Sequence, residues 1–185
     1  MRTELFLKGR LRHDLSADEK RALEDAVVDV VKLDPRKTLV ERGERIENSY
    51  YIIEGTMLRH IDDRRGERQL VGLNVTGDFV DLHGLLLKVM DHAVMALAPC
   101  RMAFAPHSEV RRIAAEFPHL GRLLFMTVAI DAAIQRNWIA CMGRMDPLRH
   151  IAYLVCEVYC RLDVVGQVKD RAFDFPVTQS EVADL

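Results

Sequence analysis

Apolar and polar positions follow two different periods along this chain. From Val27 to about Arg101 the apolar residues come in short runs broken by turn residues. Val28, Val30 and Leu33 open the series, and Leu39 follows an Asp34-Pro35 turn. Strands are predicted at 50–55, 57–61, 67–73, 93–97 and 100–105. Gly43-Glu44 and Gly77-Asp78-Phe79 read as turns, and 62–66 as a hairpin loop. Many short strands at this spacing form a sandwich or jelly roll.

Helical spacing governs both ends. Ser16-Ala17-Asp18-Glu19 is a capping box, which predicts a short helix from Ala17 to about Ala26. After Pro106 an amphipathic helix is predicted at 108–116, closed by Phe117-Pro118. Residues 119–144 then form one long helix of roughly 39 Å. Leu120, Leu123, Thr127, Ile130, Ile134, Asn137 and Cys141 recur there at three- and four-residue steps, the seam of a helix packed along a second one. Leu124, Val128 and Trp138 widen the stripe. Apolar groups on more than one face predict a helix shared by two subunits, with Asn137 fixing its register. Asp146-Pro147 starts a further helix at 148–162, with Leu148, Ile151, Ala152, Val155 and Leu162 toward a core. A strand-like piece at 173–177 precedes a second capping box, Thr178-Gln179-Ser180-Glu181, with Val182 and Leu185 as its first apolar positions. The chain therefore divides into a β-roll (1–118), a dimerisation helix (119–145) and the start of a third unit (146–185).

Composition narrows the classes. A net charge of -2 and a pI of about 6.4 give no global basic field for nucleic acid. Residues 1–8 lack the apolar run of a signal peptide, and no run approaches a membrane span. The expectation is a cytoplasmic protein, away from membranes, whose four cysteines stay reduced.

Little in the sequence points to catalysis. No nucleophile, oxyanion nest or carboxylate pair stands out, so no enzyme is expected. A jelly-roll metalloenzyme would want closely spaced histidines, and no His-x-His occurs. No metal-ligand set is assigned. His83 and His92 read as surface loop histidines, or with Asp81 as a small pocket for a ligand or metal. Cys156 and Cys160 share a helix face and read as buried small hydrophobes, with a redox or metal pair as the other option. Arg64, Arg65 and Arg68 with Asp62, Asp63 and Glu67 read as a charge-balanced, solvated hairpin.

The order of elements, with Gly43-Glu44, Tyr51-Ile52-Ile53-Glu54-Gly55, Gly77-Asp78-Phe79, Asp146 and the 175–185 stretch, resembles the Crp/Fnr family of bacterial transcription regulators. The resemblance implies an α+β fold: a cyclic nucleotide-binding-like β-roll, a dimerisation helix, and the start of a winged helix-turn-helix. Thr178, Gln179 and Ser180 would open that DNA-binding domain, whose recognition helix would follow Leu185. It also implies a homodimer that binds DNA, a small-molecule effector, and RNA polymerase as a further partner. The cyclic AMP cassette of the family does not carry over. Its glycine matches Asp81, its ribose-binding glutamate Leu82, and its Arg-Ser pair His92-Ala93. Its base-reading positions match Gln135 and Arg136. Cyclic AMP is therefore not the expected effector, because the bidentate arginine is lost. An iron–sulfur cluster is not expected either, since no cysteine precedes Cys100. The alternative is a regulatory ligand-binding module of the same fold that does not touch DNA.

Overall fold

A computed structural model describes residues 1–8 and 12–183. Leu185 lies outside the described residues. The Ser16 box is formed: its hydroxyl accepts from Glu19 N–H, and the Glu19 carboxylate reaches back to cap helix α1 (Ala17–Asp25). Seven strands follow, β1 (Asp29–Leu33), β2 (Thr38–Val40), β3 (Asn48–Glu54), β4 (Thr56–Asp62), β5 (Arg68–Val75), β6 (Ala93–Ala96) and β7 (Cys100–Pro106). They form two antiparallel sheets of order β1-β7-β3 and β2-β6-β4-β5. One short helix, α2 (Gly84–Leu87), interrupts the series. Helices α3 (His107–Glu116), α4 (Pro118–Arg144), α5 (Pro147–Val164) and α6 (Gln179–Ala183) complete the described chain. No described helix is long and apolar enough to cross a membrane.

The two-residue period of the strands decides the layering. In β7, Met102 faces the second sheet, where it meets Met57, Val94 and Met90, while Ala103 and Ala105 face the helices. On that helical side Phe6, Leu23, Tyr51, Ile113, Leu120 and Leu124 pack together. The outer face of the second sheet is covered by α4 and α5: Leu58, Leu73 and Met95 pack with Trp138, Leu154, Val158 and Leu162. Helix α4, about 40 Å long, thus touches both layers. Gly55, at φ +113°, closes the β3–β4 turn against Cys100.

Three expectations change here. The inward face of α5 is His150, Leu154, Val158 and Leu162, a strict four-residue step; Leu148, Ala152 and Val155 are exposed and Ile151 half-buried. Helix α5 lies on the β-roll, with Arg161 donating to the Leu73 carbonyl. Residues 173–177 are not a strand; Phe173, Phe175 and Val177 pack irregularly on the same cluster. Finally, Cys156 and Cys160 are exposed, because the four-residue core step of α5 passes them by. The second capping box is formed between Thr178 and Glu181, and Arg36 pairs with Glu181 at 3.0 Å.

Candidate functional site: a pocket against the long helix

A cavity of about 320 Å³ opens where the β-roll, the N-terminal segment, α4 and α5 meet. Phe6 and Lys8 line it from the N-terminus, and Arg59 and Asn74 from β4 and β5. The loop after β5 supplies Asp78, Phe79, Asp81, Leu82 and His83. Thr127, Ile130, Asp131 and Ile134 come from α4, and Cys160 and Arg161 from α5. Glu24 ties the N-terminal segment down, accepting from Arg2 and Thr3; burial opposes its charge, but these bonds hold its pKa at about 2.

Two arginines, Arg59 buried and Arg161 partly buried, dominate the polar lining. Arg59 is only 4% exposed and stands in a strand of buried apolar neighbours. Its guanidinium donates to both carboxylate oxygens of Asp131 on α4, at 2.5 and 2.9 Å, while Nε donates to Asn74 Oδ1 at 2.6 Å. This bidentate pair is the strong form of a charge-assisted bond, and it fastens the long helix to the sheet. Arg161 makes the second clamp, to Asp78, Glu157 and the Leu73 carbonyl.

Asp81 is fully buried. Its Oδ1 accepts from Tyr50 N–H at 2.8 Å, and its Oδ2 has no hydrogen-bond partner among the described residues. Burial pushes its pKa up to about 8, against the pull of that N–H and of Arg59. Burial therefore favours the uncharged form of this carboxyl.

The remaining expected residues are placed as follows. Leu82 and His83 line the cavity; His92 and Ala93 are buried beside it, at the start of β6. His83 and His92 are not surface histidines: their rings stack with centroids 5.1 Å apart, and the acidic group beside them is Asp91, not Asp81. Gln135 packs over Gly72 of β5, and Arg136 is exposed; neither lines the cavity.

The expected seam of α4 lies against its own chain. Leu120, Leu123, Leu124, Trp138 and Cys141 are buried within it, and Thr127, Ile130 and Ile134 form the pocket wall. Asn137 is exposed and meets the Tyr153 hydroxyl of α5. The outward stripe is Arg122, Phe125, Ala129, Ala132, Arg136 and Ile139, again at three- and four-residue steps.

Arg59 and Asp131 were not singled out from the sequence. The signals were there: an arginine inside Met57-Leu58-Arg59-His60-Ile61, and the one acidic residue of the long helix.

Comparison with known proteins places this geometry. Residues 30–117 match the family described as Cyclic nucleotide-binding domain. The chain is 31% identical over 157 residues to the transcriptional activator protein FnrL of Cereibacter sphaeroides, covering 80% of this chain and 60% of that one. It is 26% identical to the cAMP-activated global transcriptional regulator CRP of Salmonella typhimurium, covering 83% of this chain and 73% of the other. Among solved structures, FixK2 from Bradyrhizobium japonicum superposes with a TM-score of 0.77 at 16% identity, over 85% of this chain and 76% of that one. The chain thus spans about 60% of the length of FnrL.

Proposed function

We propose that this chain, similar over residues 30–117 to the cyclic nucleotide-binding domain and to the regulators FnrL and CRP, is the sensing part of a Crp/Fnr-type transcriptional regulator. A small anionic effector enters the pocket, takes the Arg59 guanidinium from Asp131, and so loosens α4 from the sheet. The observation that carries this reading is the buried Arg59–Asp131 pair across the cavity. A guanidinium already desolvated and held in a bidentate geometry accepts a carboxylate or phosphate in place of the aspartate. The effector differs from cyclic AMP in this reading, because Leu82 and His92-Ala93 offer neither a ribose acceptor nor a second guanidinium.

The outward stripe of α4 supports association with a second copy. Ala129 and Ala132 allow close helix approach, with Phe125 and Ile139 as apolar anchors. Movement of α4 would reach DNA through a helix-turn-helix that opens at Thr178-Gln179-Ser180. The protein works in the cytoplasm on this reading, with no enzymatic step.

Trp138 is the chain's one tryptophan and stands on α4 one turn beyond Ile134 of the pocket wall, so its emission reports the helix. The test titrates small carboxylates, phosphates and cyclic nucleotides against wild type and Arg59→Met. The reading expects a saturable change for at least one acyclic anion, lost in Arg59→Met. A response that survives the substitution, or none across the panel, overturns it.

A further inference from the structure

The loop that joins α2 to β6 holds a second constellation, outside the Arg59 clamp. His83 stands at the N-cap position of α2, Lys88 ends that helix in the left-handed region, and the chain then passes through Met90 to Asp91 and His92. Met90 is buried in the core between the sheets, and its backbone is bonded on both sides to the 43–46 turn. The segment is thus held by packing and by main-chain bonds before any ligand arrives. That is the preorganisation a metal site needs.

The donor set is compact. Asp91 Oδ1 lies 2.8 Å from His92 Nδ1 and 3.4 Å from His83 Nε2. One ligand atom from each of the three residues falls within 4.8 Å of the others. Bonds of about 2.0–2.2 Å in a tetrahedral shell require donors about 3.3 Å apart, so the set closes on an ion with small side-chain shifts. His83 Nε2 is buried and its nearest acidic atom is Asp91 Oδ1, while His92 Nε2 is buried with no hydrogen-bond partner among the described residues. His92 is 6% exposed, and the nitrogen it offers to the set is Nδ1, now 2.8 Å from Asp91 Oδ1. Asp91 is exposed and gives an ion a way in from solvent.

We propose that His83, Asp91 and His92 form a binding site for a divalent transition metal of the zinc and cobalt type. Two imidazoles and one carboxylate suit such borderline ions better than magnesium or calcium, which want oxygen shells. Three protein ligands leave a fourth position for water. His83 also lines the effector pocket, so the ion would sit at the pocket's edge and lock α2 to β6.

The chain, stripped with a chelator and dialysed, is titrated with Co²⁺ while its visible ligand-field bands are recorded, then with Zn²⁺ in competition. The expected result is one equivalent per chain, with tetrahedral Co²⁺ bands that Zn²⁺ abolishes. His83→Ala and His92→Gln should each weaken binding at least tenfold, and Asp91→Asn should weaken it less. Far-ultraviolet circular dichroism confirms that each variant is folded. Cys156→Ser/Cys160→Ser should bind as wild type, which separates this site from the exposed thiols. No saturable uptake up to about 100 µM metal, near -5.5 kcal/mol, would overturn the proposal. So would uptake that the histidine variants leave unchanged. Neither outcome bears on the Arg59 clamp, which the Trp138 titration tests separately.

Discussion

Replacing Asp131 by alanine removes the one carboxylate that holds the Arg59 guanidinium. The Arg59 side chain is 5% exposed and that of Asp131 29% exposed. Two unit charges about 4 Å apart attract by roughly 4 kcal/mol at an effective dielectric of about 20. Breaking a buried pair from one side costs about 3–5 kcal/mol, because the stranded charge stays desolvated. The partly wet aspartate lowers that to about 2–3 kcal/mol. Alanine returns about 0.5 kcal/mol of helix propensity. Asn74 Oδ1 still accepts from Arg59 Nε, so the guanidinium keeps one bond. A net loss of about 2 kcal/mol is expected for Asp131→Ala. Arg59→Met leaves a half-wet aspartate and fills the stem volume, so Arg59→Met/Asp131→Ala should cost little more than Arg59→Met alone. The coupling from the double-mutant cycle should be about 1.5–2.5 kcal/mol. Urea unfolding read by Trp138 emission, at fixed protein concentration, measures it. A coupling below about 0.5 kcal/mol would mean that the clamp does not fasten α4, and the relay built on it would fall.

Three further outcomes follow from other features. Asp81 titrates in the fold near pH 8 against 3.8 in the open chain, so the unfolded state sheds its proton first and stability drains away between about pH 4 and 8. Asp81→Asn should match wild type near pH 4 and exceed it by a few kcal/mol near pH 8; a difference that stays flat across that range contradicts the burial argument. Ala132→Asp places a charge at the centre of the outward stripe and should turn a dimer into a monomer in sedimentation at micromolar concentration, whereas a variant that still dimerises would put the interface elsewhere. Gly55→Ala meets both a φ of +113° and Cys100 Sγ at 2.5 Å from the new Cβ. It should lower stability by about 2–3 kcal/mol in thermal melts, partly recovered by Cys100→Ala, and a loss under about 0.5 kcal/mol would refute the strain.

The periodicities carried most of the fold. Strand runs, both capping boxes and the Pro118 and Pro147 breaks stand where the apolar pattern and cap chemistry put them. Helix α2 was not legible because Gly84-Leu85-Leu86-Leu87 is a single turn with no side-chain cap. The α4 seam had the right spacing, and within one chain much of it packs on the chain itself. Its large apolar residues face the chain's own sheets and α5, and the outward stripe is mostly alanine and arginine, which carries little hydrophobic signal. Of the pocket, Asp81, Leu82 and His83 were visible because they follow Gly77-Asp78-Phe79. The Arg59–Asp131 clamp joins residues 72 positions apart, and no local pattern announces such a pairing. Asp91 was passed over for Asp81 because only the folded loop shows which carboxylate turns toward the histidines.

Specific DNA binding under control of the clamp tests the account most directly. A chain carried on through the whole helix-turn-helix is titrated by fluorescence anisotropy against two-fold symmetric DNA from upstream of neighbouring genes, at fixed salt, as wild type and as Asp131→Asn. Asparagine keeps the shape at position 131 but withdraws the charge, so it stands in for the effector-bound state. The account predicts specific binding to half-sites about 34 Å apart, with an affinity that differs between the two chains by at least tenfold. Equal affinity in both, or no preference over unrelated DNA in either, would contradict it.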